Sequence, residues 1–248
     1  MTRIIALANH KGGVSKTTTT ANVGAILSKK GKKVLMIDLD AQANLTDYFL
    51  KKRPSTTIYN SFVDEAPLPI VEVWKNLDIV PSSLSMVDID TRIADNLDRA
   101  ELLQILLEPV TGKYDYILLD CPPSLGIVTL NALIAATDLY ICLTAETIAV
   151  RGLKMLTDAM EKVQKRKNPN LKLSGIIISR WGGRNLNKEI EGSLRETFGD
   201  IVFKTKIREN IAIAEAPTFY QDIVTYAPSS HGAEDYQALT KEILKRIK

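Results

Sequence analysis

The apolar residues of this chain fall into short continuous runs that alternate with longer amphipathic stretches. Runs such as RIIALAN and YDYILLD are apolar at most positions, which is typical of strands buried on both faces of a sheet. The stretches between them space their apolar residues as amphipathic helices do. We predict strands at residues 3–9, 32–38, 77–80, 114–120, 139–143, 171–179 and 201–207. We predict helices at residues 16–30, 84–96, 100–107, 127–136, 148–165, 185–198 and 233–247.

The order of these elements predicts an α/β fold. Strand, glycine turn, helix and strand follow one another at the start of the chain, and this βαβ order requires a parallel pair with a right-handed crossover. The same alternation continues to the end, with no internal repeat. The least regular stretch, residues 51–69, carries three prolines, and we predict a surface loop with a short helix there. We therefore expect a single domain over residues 1–248.

Composition and charge narrow the class of protein. The chain has 248 residues, of which 45% are hydrophobic and 25% charged, so a disordered protein is excluded. Thirty-two basic residues against twenty-nine acidic ones leave a net charge of +3, which excludes a histone-like protein. Two cysteines cannot build a disulfide framework or an iron–sulfur site. With no signal peptide and no apolar run long enough for a membrane span, we expect a cytoplasmic protein.

A glycine-rich turn follows the first predicted strand and opens the first predicted helix. Glycines there let backbone N–H groups surround an anion, and the helix N-terminus adds partial positive charge. Lys16 would reach the β- and γ-phosphates of a nucleotide, and the Thr17 hydroxyl would bind Mg²⁺. We therefore predict a phosphate-binding loop. Its residues are Lys11, Gly12, Gly13, Val14, Ser15, Lys16, Thr17 and Thr18.

Three aspartates stand at the carboxyl ends of predicted strands, where α/β proteins bind ligands. Asp38 and Asp40 share a face because strand side chains alternate. The pattern leaves open whether Asp38 serves the site or caps the following helix. Asp120 follows four apolar residues, and a carboxylate there holds Mg²⁺ in nucleotide-binding proteins. Together with Lys16 and Thr17, this spacing predicts a site for a nucleotide and Mg²⁺.

The loop has the form K-G-G-x-x-K-[ST], which resembles the deviant Walker A loop of the ParA/MinD ATPases. Further blocks resemble the Soj-type partition ParA branch and follow one another in that family's order. They are ALANHKGG, GKKVLMIDLDAQANLT, YDYILLDCPPSL, TLNAL, AEAP and HGAEDYQAL. The resemblance covers nearly the whole chain and implies a P-loop NTPase fold, with a mostly parallel twisted sheet and helices on both faces.

The resemblance also implies an activity and roles for residues. It implies a Mg²⁺-dependent ATPase of weak intrinsic activity that forms a homodimer around ATP. Lys11, which by itself would be a solvated loop lysine, would reach the partner's phosphates. Asp40 would orient the attacking water and help to hold Mg²⁺ with Thr17 and Asp120, and Asn210 would lie near the adenine.

The partners implied by the resemblance are nonspecific double-stranded DNA and a ParB-like activator protein. The ATP-bound dimer would associate with the nucleoid, and the short stretch before the phosphate loop resembles family members that lack an N-terminal helix-turn-helix domain. Arg184 matches a DNA-contacting arginine of the family. A second such arginine is Ala212 here, so either DNA affinity would be weaker or other basic residues would carry it. Those residues are Lys188, Lys204, Lys206 and Arg208.

The alternative function is that of a MinD-like positioning ATPase bound to a membrane. The final predicted helix carries Leu239, Ile243 and Ile247 beside several lysines and arginines, and such a helix can lie on an anionic bilayer. We favour docking of this apolar stripe on the protein core, because the helix is short and has no bulky aromatic residue after Tyr236.

Overall fold

A computed structural model describes residues 1–145 and 149–246 of the chain. In these residues, eight strands form a single sheet in the order β3-β4-β2-β5-β1-β6-β7-β8. The strands are β1 Arg3–Ala8, β2 Val34–Asp38, β3 Val71–Trp74, β4 Leu77–Val80, β5 Tyr116–Asp120, β6 Asp138–Thr144, β7 Lys172–Trp181 and β8 Val202–Arg208. All seven strands predicted from the sequence are present, and the α/β class is confirmed.

Helices connect the strands and cover both faces of the sheet. The helices are α1 Lys16–Lys29, α2 Asn44–Phe49, α3 Ile58–Asp64, α4 Ile89–Arg92, α5 Leu102–Leu107, α6 Ile127–Ala135, α7 Ala149–Arg166, α8 Asn185–Phe198, α9 Ile211–Glu215, α10 Ile223–Tyr226 and α11 His231–Arg246. Single 3₁₀ turns lie at Leu84–Asp88, Gly199–Ile201 and Ala216–Phe219. The predicted start of one helix at residue 148 and the predicted end of another at residue 247 lie outside the described residues.

The sheet is parallel except at one edge. There β3 pairs antiparallel with β4, and the sequence prediction missed this strand. The connection is a tight turn in which Asn76 takes a left-handed backbone conformation, with φ 70°. The run VEVW has only four residues, none of them fully buried, so it lacks the apolar continuity that marks the inner strands.

Two apolar layers hold the helices onto the sheet. On one face α1, α2 and α11 pack through side chains such as Leu27, Tyr48 and Leu239. On the other face the helices from α3 to α8 pack through side chains such as Phe62, Leu133 and Leu156. Because inner strands are buried on both faces, their sequences read as continuous apolar runs.

One predicted segment differs from the structure, and another agrees with it. The helix predicted at residues 84–96 is wrong as one element, because the 3₁₀ turn Leu84–Asp88 precedes the single turn of α4. The loop predicted at residues 51–69 does contain a short helix, α3, as expected. Its first turn is closed by two hydrogen bonds, in which Thr57 N donates to Asn60 Oδ1 at 3.1 Å and Asn60 N donates to the carbonyl oxygen of Thr57 at 3.0 Å.

Candidate phosphate-binding site

The loop between β1 and α1 curls at the carboxyl edge of the sheet. Gly13 has φ 73° and nothing within 4 Å of the position that a Cβ would take, so the glycine is needed for backbone conformation rather than for space. Ser15 follows with φ 68° and ψ 25°, also in the left-handed region. Such conformations turn successive N–H groups inward, and they precede the N-terminus of the 14-residue helix α1. The predicted loop geometry is therefore present.

Lys16 is folded back onto the loop that carries it. Its side chain is buried, and Nζ donates a hydrogen bond of 3.3 Å to the carbonyl oxygen of Lys11. The buried Asn9 supports the loop from below, because its Oδ1 accepts from Lys11 N at 3.0 Å and its Nδ2 donates to Cys142 O at 2.5 Å. Sequence reasoning missed Asn9, since one asparagine at a strand end carries no motif.

Asp120 ends β5 and is fully buried. Within the described part of the chain, no donor reaches either of its carboxylate oxygens with hydrogen-bond geometry. Burial raises the pKa of Asp120 well above its usual value and repulsion from Asp38 adds to this, while Thr17 and Lys16 act in the opposite direction. A buried carboxylate without a donor is energetically costly unless a cation neutralises it.

The residues around Asp120 fit Mg²⁺. A carboxylate and the Thr17 hydroxyl are hard oxygen donors, which Mg²⁺ prefers. No group of three or more His, Cys, Asp or Glu side chains suited to a metal occurs among the described residues. A cation here would therefore take its remaining ligands from water and phosphate, as Mg²⁺ does in nucleotide sites.

Asp38 lies beside Asp120, since the two residues are paired in register across β2 and β5. Its Oδ2 accepts hydrogen bonds from Thr46 N at 2.8 Å and from Thr46 Oγ1 at 2.7 Å. Burial raises the pKa of Asp38 to about 6, and the bonds from Thr46 partly offset this effect. These bonds connect Asp38 to the first turn of α2, to which Thr46 belongs.

Asp40 stands at the rim of a cleft with a volume of about 600 Å³. It is partly exposed, and its Oδ1 accepts a hydrogen bond of 3.0 Å from Gln42 N. The phosphate loop forms the floor of this cleft. The lining residues are Gly12, Gly13, Val14, Ser15, Lys16, Thr17, Thr18, Asp40, Gln42, Asn44, Asp47, Tyr48, Pro123, Pro217 and Thr218. The structure thus brings Asp40 and the loop together, as the sequence predicts.

A second pocket of about 460 Å³ adjoins the cleft and shares Ser15, Thr18 and Pro217 with it. Asn210 lines this pocket, although its side chain also accepts a hydrogen bond of 2.9 Å from Ala212 N and so caps α9. Arg180 lies at the same pocket with φ 52° and forms an ion pair of 3.5 Å with Glu209. Sequence reasoning did not single out Arg180.

The basic residues expected to contact DNA are not among those that line the cleft, and the structure separates them into two groups. Lys206 forms an ion pair with Glu191 at 2.9 Å, and Arg208 forms one with Asp235 at 2.7 Å. The sequence did not reveal these acidic partners on α8 and α11. The residues that remain exposed are Arg184, Lys188 and Lys204.

Comparison with known proteins decides the family. Residues 2–173 match the family model described as an AAA domain. The chain is 37% identical to the sporulation initiation inhibitor protein Soj of Bacillus subtilis over 251 residues, which cover 98% of both chains. The chain belongs to the ParA/Soj family of partition ATPases.

Solved structures agree with this family. A plasmid partition protein of Borrelia burgdorferi bound to AMPPNP has a TM-score of 0.84 and 27% identity, with 99% of this chain and all of that chain covered. A cobyrinic acid a,c-diamide synthase of Mycobacterium smegmatis with bound ATP analogue and magnesium has a TM-score of 0.86 and 28% identity, with 100% and 96% covered. The P-loop NTPase fold predicted from the sequence is confirmed.

Proposed function

We propose that this chain binds ATP with Mg²⁺, hydrolyses it slowly and thereby acts in DNA partition. The observation that carries the proposal is the buried, unpartnered carboxylate of Asp120 beside Lys16 and Thr17 of the phosphate loop. An uncompensated buried charge destabilises a protein, and a cation that binds beside it offsets that cost. Soj, to which the chain is 37% identical, and the plasmid partition protein bound to AMPPNP support the same function.

Each part of the site has a role in phosphoryl transfer. The N–H groups of the loop bind phosphate oxygens, and Lys16 exchanges its bond to the Lys11 carbonyl for bonds to the β- and γ-phosphates. Thr17 and Asp120 hold Mg²⁺, which neutralises charge on the phosphates when bound. Asp40, at the cleft rim, orients the attacking water. Because no side chain forms a covalent intermediate, catalysis rests on positioning and charge stabilisation, and we expect slow turnover.

Two copies of the chain enclose the nucleotides face to face in this proposal. Lys11 lies exposed at the mouth of the loop, from which a lysine can extend beyond its own subunit. Its charge would stabilise the transition state in the partner's site, as an arginine finger does. Dimerisation would then depend on the γ-phosphate, and hydrolysis would release the two subunits.

The ATP-bound dimer binds double-stranded DNA without sequence preference and is thereby held on the nucleoid. Arg184, Lys188 and Lys204 are exposed and would contact backbone phosphates, with release of counterions. A ParB-like protein would stimulate hydrolysis. In a filter-binding assay of the ATP-bound protein, the logarithm of the association constant for DNA should fall linearly with the logarithm of the salt concentration. A slope near zero would contradict the proposed DNA binding.

We do not propose membrane binding, because the apolar side of the final helix, α11, is buried in the protein core. Tyr236, Leu239 and Ile243 of α11 are 0–1% exposed and pack against the sheet side that α1 also covers. Ile247 lies outside the described residues. Among the helices that the structure describes, none is both long and apolar enough to cross a bilayer.

The proposal is tested by the ATPase rates of two variants and a control. Lys16→Ala should lose ATP binding, because the phosphates lose their buried cation. Asp40→Ala should bind ATP but hydrolyse it at least about 100-fold more slowly, the range that positioned groups supply. Asp98→Ala alters an exposed carboxylate outside the cleft and should leave the rate unchanged. Wild-type turnover in Asp40→Ala would contradict the role of Asp40, and a purified wild type without ATPase activity would contradict the function.

A further inference from the structure

We propose that Thr46 is a positioning residue for Asp40 and that it acts through Asp38. The inference rests on the proposed ATPase function, within which it adds a residue that does not line the nucleotide cleft. It concerns the nine residues from Asp38 to Thr46, which leave the sheet at β2, pass the cleft and enter α2.

Among the described residues, Asp40 forms its hydrogen bonds with the carboxylate of Asp38 and with the backbone of its own turn. Its backbone N–H donates to Asp38 Oδ1 at 3.1 Å. Its carbonyl oxygen accepts from Ala43 N at 2.9 Å, and its Oδ1 accepts from Gln42 N at 3.0 Å. The turn closes at Ala43, which is buried and has φ 55°. The orientation of the Asp38 carboxylate therefore sets the position from which the turn starts.

Thr46 fixes that carboxylate from the opposite side. Its N–H and its Oγ1–H both donate to Asp38 Oδ2, at 2.8 and 2.7 Å. The same Oγ1 accepts from Ser82 N at 2.9 Å, two residues beyond the end of β4. Asp38, Thr46 and Ser82 are each 0% exposed, so water does not replace these bonds. One hydroxyl thus connects β2, α2 and the segment that follows β4.

The hydroxyl matters because Asp38 lies beside a second buried carboxylate. Asp120 is its register partner on β5, and the two side chains repel each other when both are ionised. Without Thr46 Oγ1, Asp38 would lose a charge-assisted donor, and the N–H of Ser82 would lose its acceptor. The Asp38 side chain could then rotate away from the Asp40 N–H. We expect Asp40 to lose its fixed position while the phosphate loop keeps its own.

The test compares Thr46→Val, which keeps the shape and removes the hydroxyl, with Thr46→Ser, which keeps the hydroxyl. We expect Thr46→Val to lower kcat about tenfold with the Kd for ATP changed less than twofold, because only positioning is lost. Thr46→Ser should restore kcat to within about twofold of wild type. Thr240→Val is the matched control. Its hydroxyl is equally buried and binds the carbonyl oxygen of Tyr236 within α11, and kcat should not change.

A second readout does not depend on ATP hydrolysis. Amide hydrogen exchange of residues 39–43 should be at least about tenfold faster in Thr46→Val than in wild type, and near wild type in Thr46→Ser and Thr240→Val. If the wild type lacks ATPase activity, the proposed function fails and this exchange measurement still decides the role of Thr46. Unchanged exchange in Thr46→Val would overturn the inference, and so would an unchanged kcat or an equal loss of kcat in Thr46→Ser.

Discussion

Ser15 holds a backbone conformation in the phosphate loop that glycine adopts far more readily. Its φ of 68° lies in the left-handed region, where a non-glycine residue costs about 1–2 kcal/mol. Serine can adopt this conformation because its side chain is small and unbranched at Cβ. The loop therefore keeps its geometry with serine at a modest energetic cost.

The effect of a substitution at Ser15 on stability should depend on whether the new residue can adopt this backbone conformation, and not on the chemistry of its side chain. Ser15→Gly should change the free energy of unfolding by less than about 1 kcal/mol, because relief of strain is offset by the greater entropy of the unfolded chain. Ser15→Val should lower it by about 2 kcal/mol, since a β-branched residue is strongly disfavoured at this φ. Urea titration of the two variants and the wild type measures both values. Equal stability of the Gly and Val variants would contradict the assigned conformation.

The raised pKa of Asp120 predicts that the stability of the protein depends on pH. Burial and Asp38 raise its pKa, so the native state keeps a proton that the unfolded chain releases near pH 4. In the absence of Mg²⁺ and nucleotide, this aspartate should therefore lower stability progressively as the pH rises above about 4. Asp120→Asn removes the charge and should be more stable than wild type at pH 7.5, by about 1–3 kcal/mol.

Denaturant titrations of metal-free wild type and Asp120→Asn at pH 5 and pH 7.5 measure this effect. The difference between the two proteins should be larger at pH 7.5. The variant should also lose the stabilisation that Mg²⁺ with an ATP analogue gives to the wild type. A variant less stable than wild type at pH 7.5, or a difference that does not grow with pH, would contradict the account of the buried charge.

At the scale of elements, the final helix α11 belongs to the core. Its buried side packs with α1, and Tyr236 OH lies 3.4 Å from Thr19 Oγ1 in the helix that follows the phosphate loop. The outer side of α11 carries exposed residues such as Lys241 and Lys245. This division explains the amphipathic pattern of the helix without a membrane. The same helix places Asp235 against Arg208 at the second pocket.

Shortening a buried apolar side chain of α11 should destabilise the fold. Leu239 is 0% exposed, so Leu239→Ala should lower the free energy of unfolding by about 2–5 kcal/mol. Lys241→Ala, on the exposed side of the same helix, should change it by less than about 0.5 kcal/mol. Thermal or urea unfolding of both variants tests this. Similar stability of Leu239→Ala and wild type would show that the helix is not held in the core.

In the molecule as a whole, the sequence predicted the sheet and the glycine turn between β1 and α1, because both depend on local patterns. Inner strands are continuous apolar runs, and the loop, Asp40 and Asp120 follow strand ends that the pattern locates. Sequence reasoning missed Asn9 and Thr46, since their roles arise from contacts with Cys142 and Asp38 across the fold. It also missed the ion pair of Lys206, because Glu191 approaches only in the folded chain.

In the proposed function, the γ-phosphate of ATP joins two copies of this chain. Size-exclusion chromatography with light scattering measures this on the wild type with Mg²⁺ and either ADP or a nonhydrolysable ATP analogue. We expect the mass of one chain with ADP and twice that mass with the analogue. The same mass with both nucleotides would contradict it.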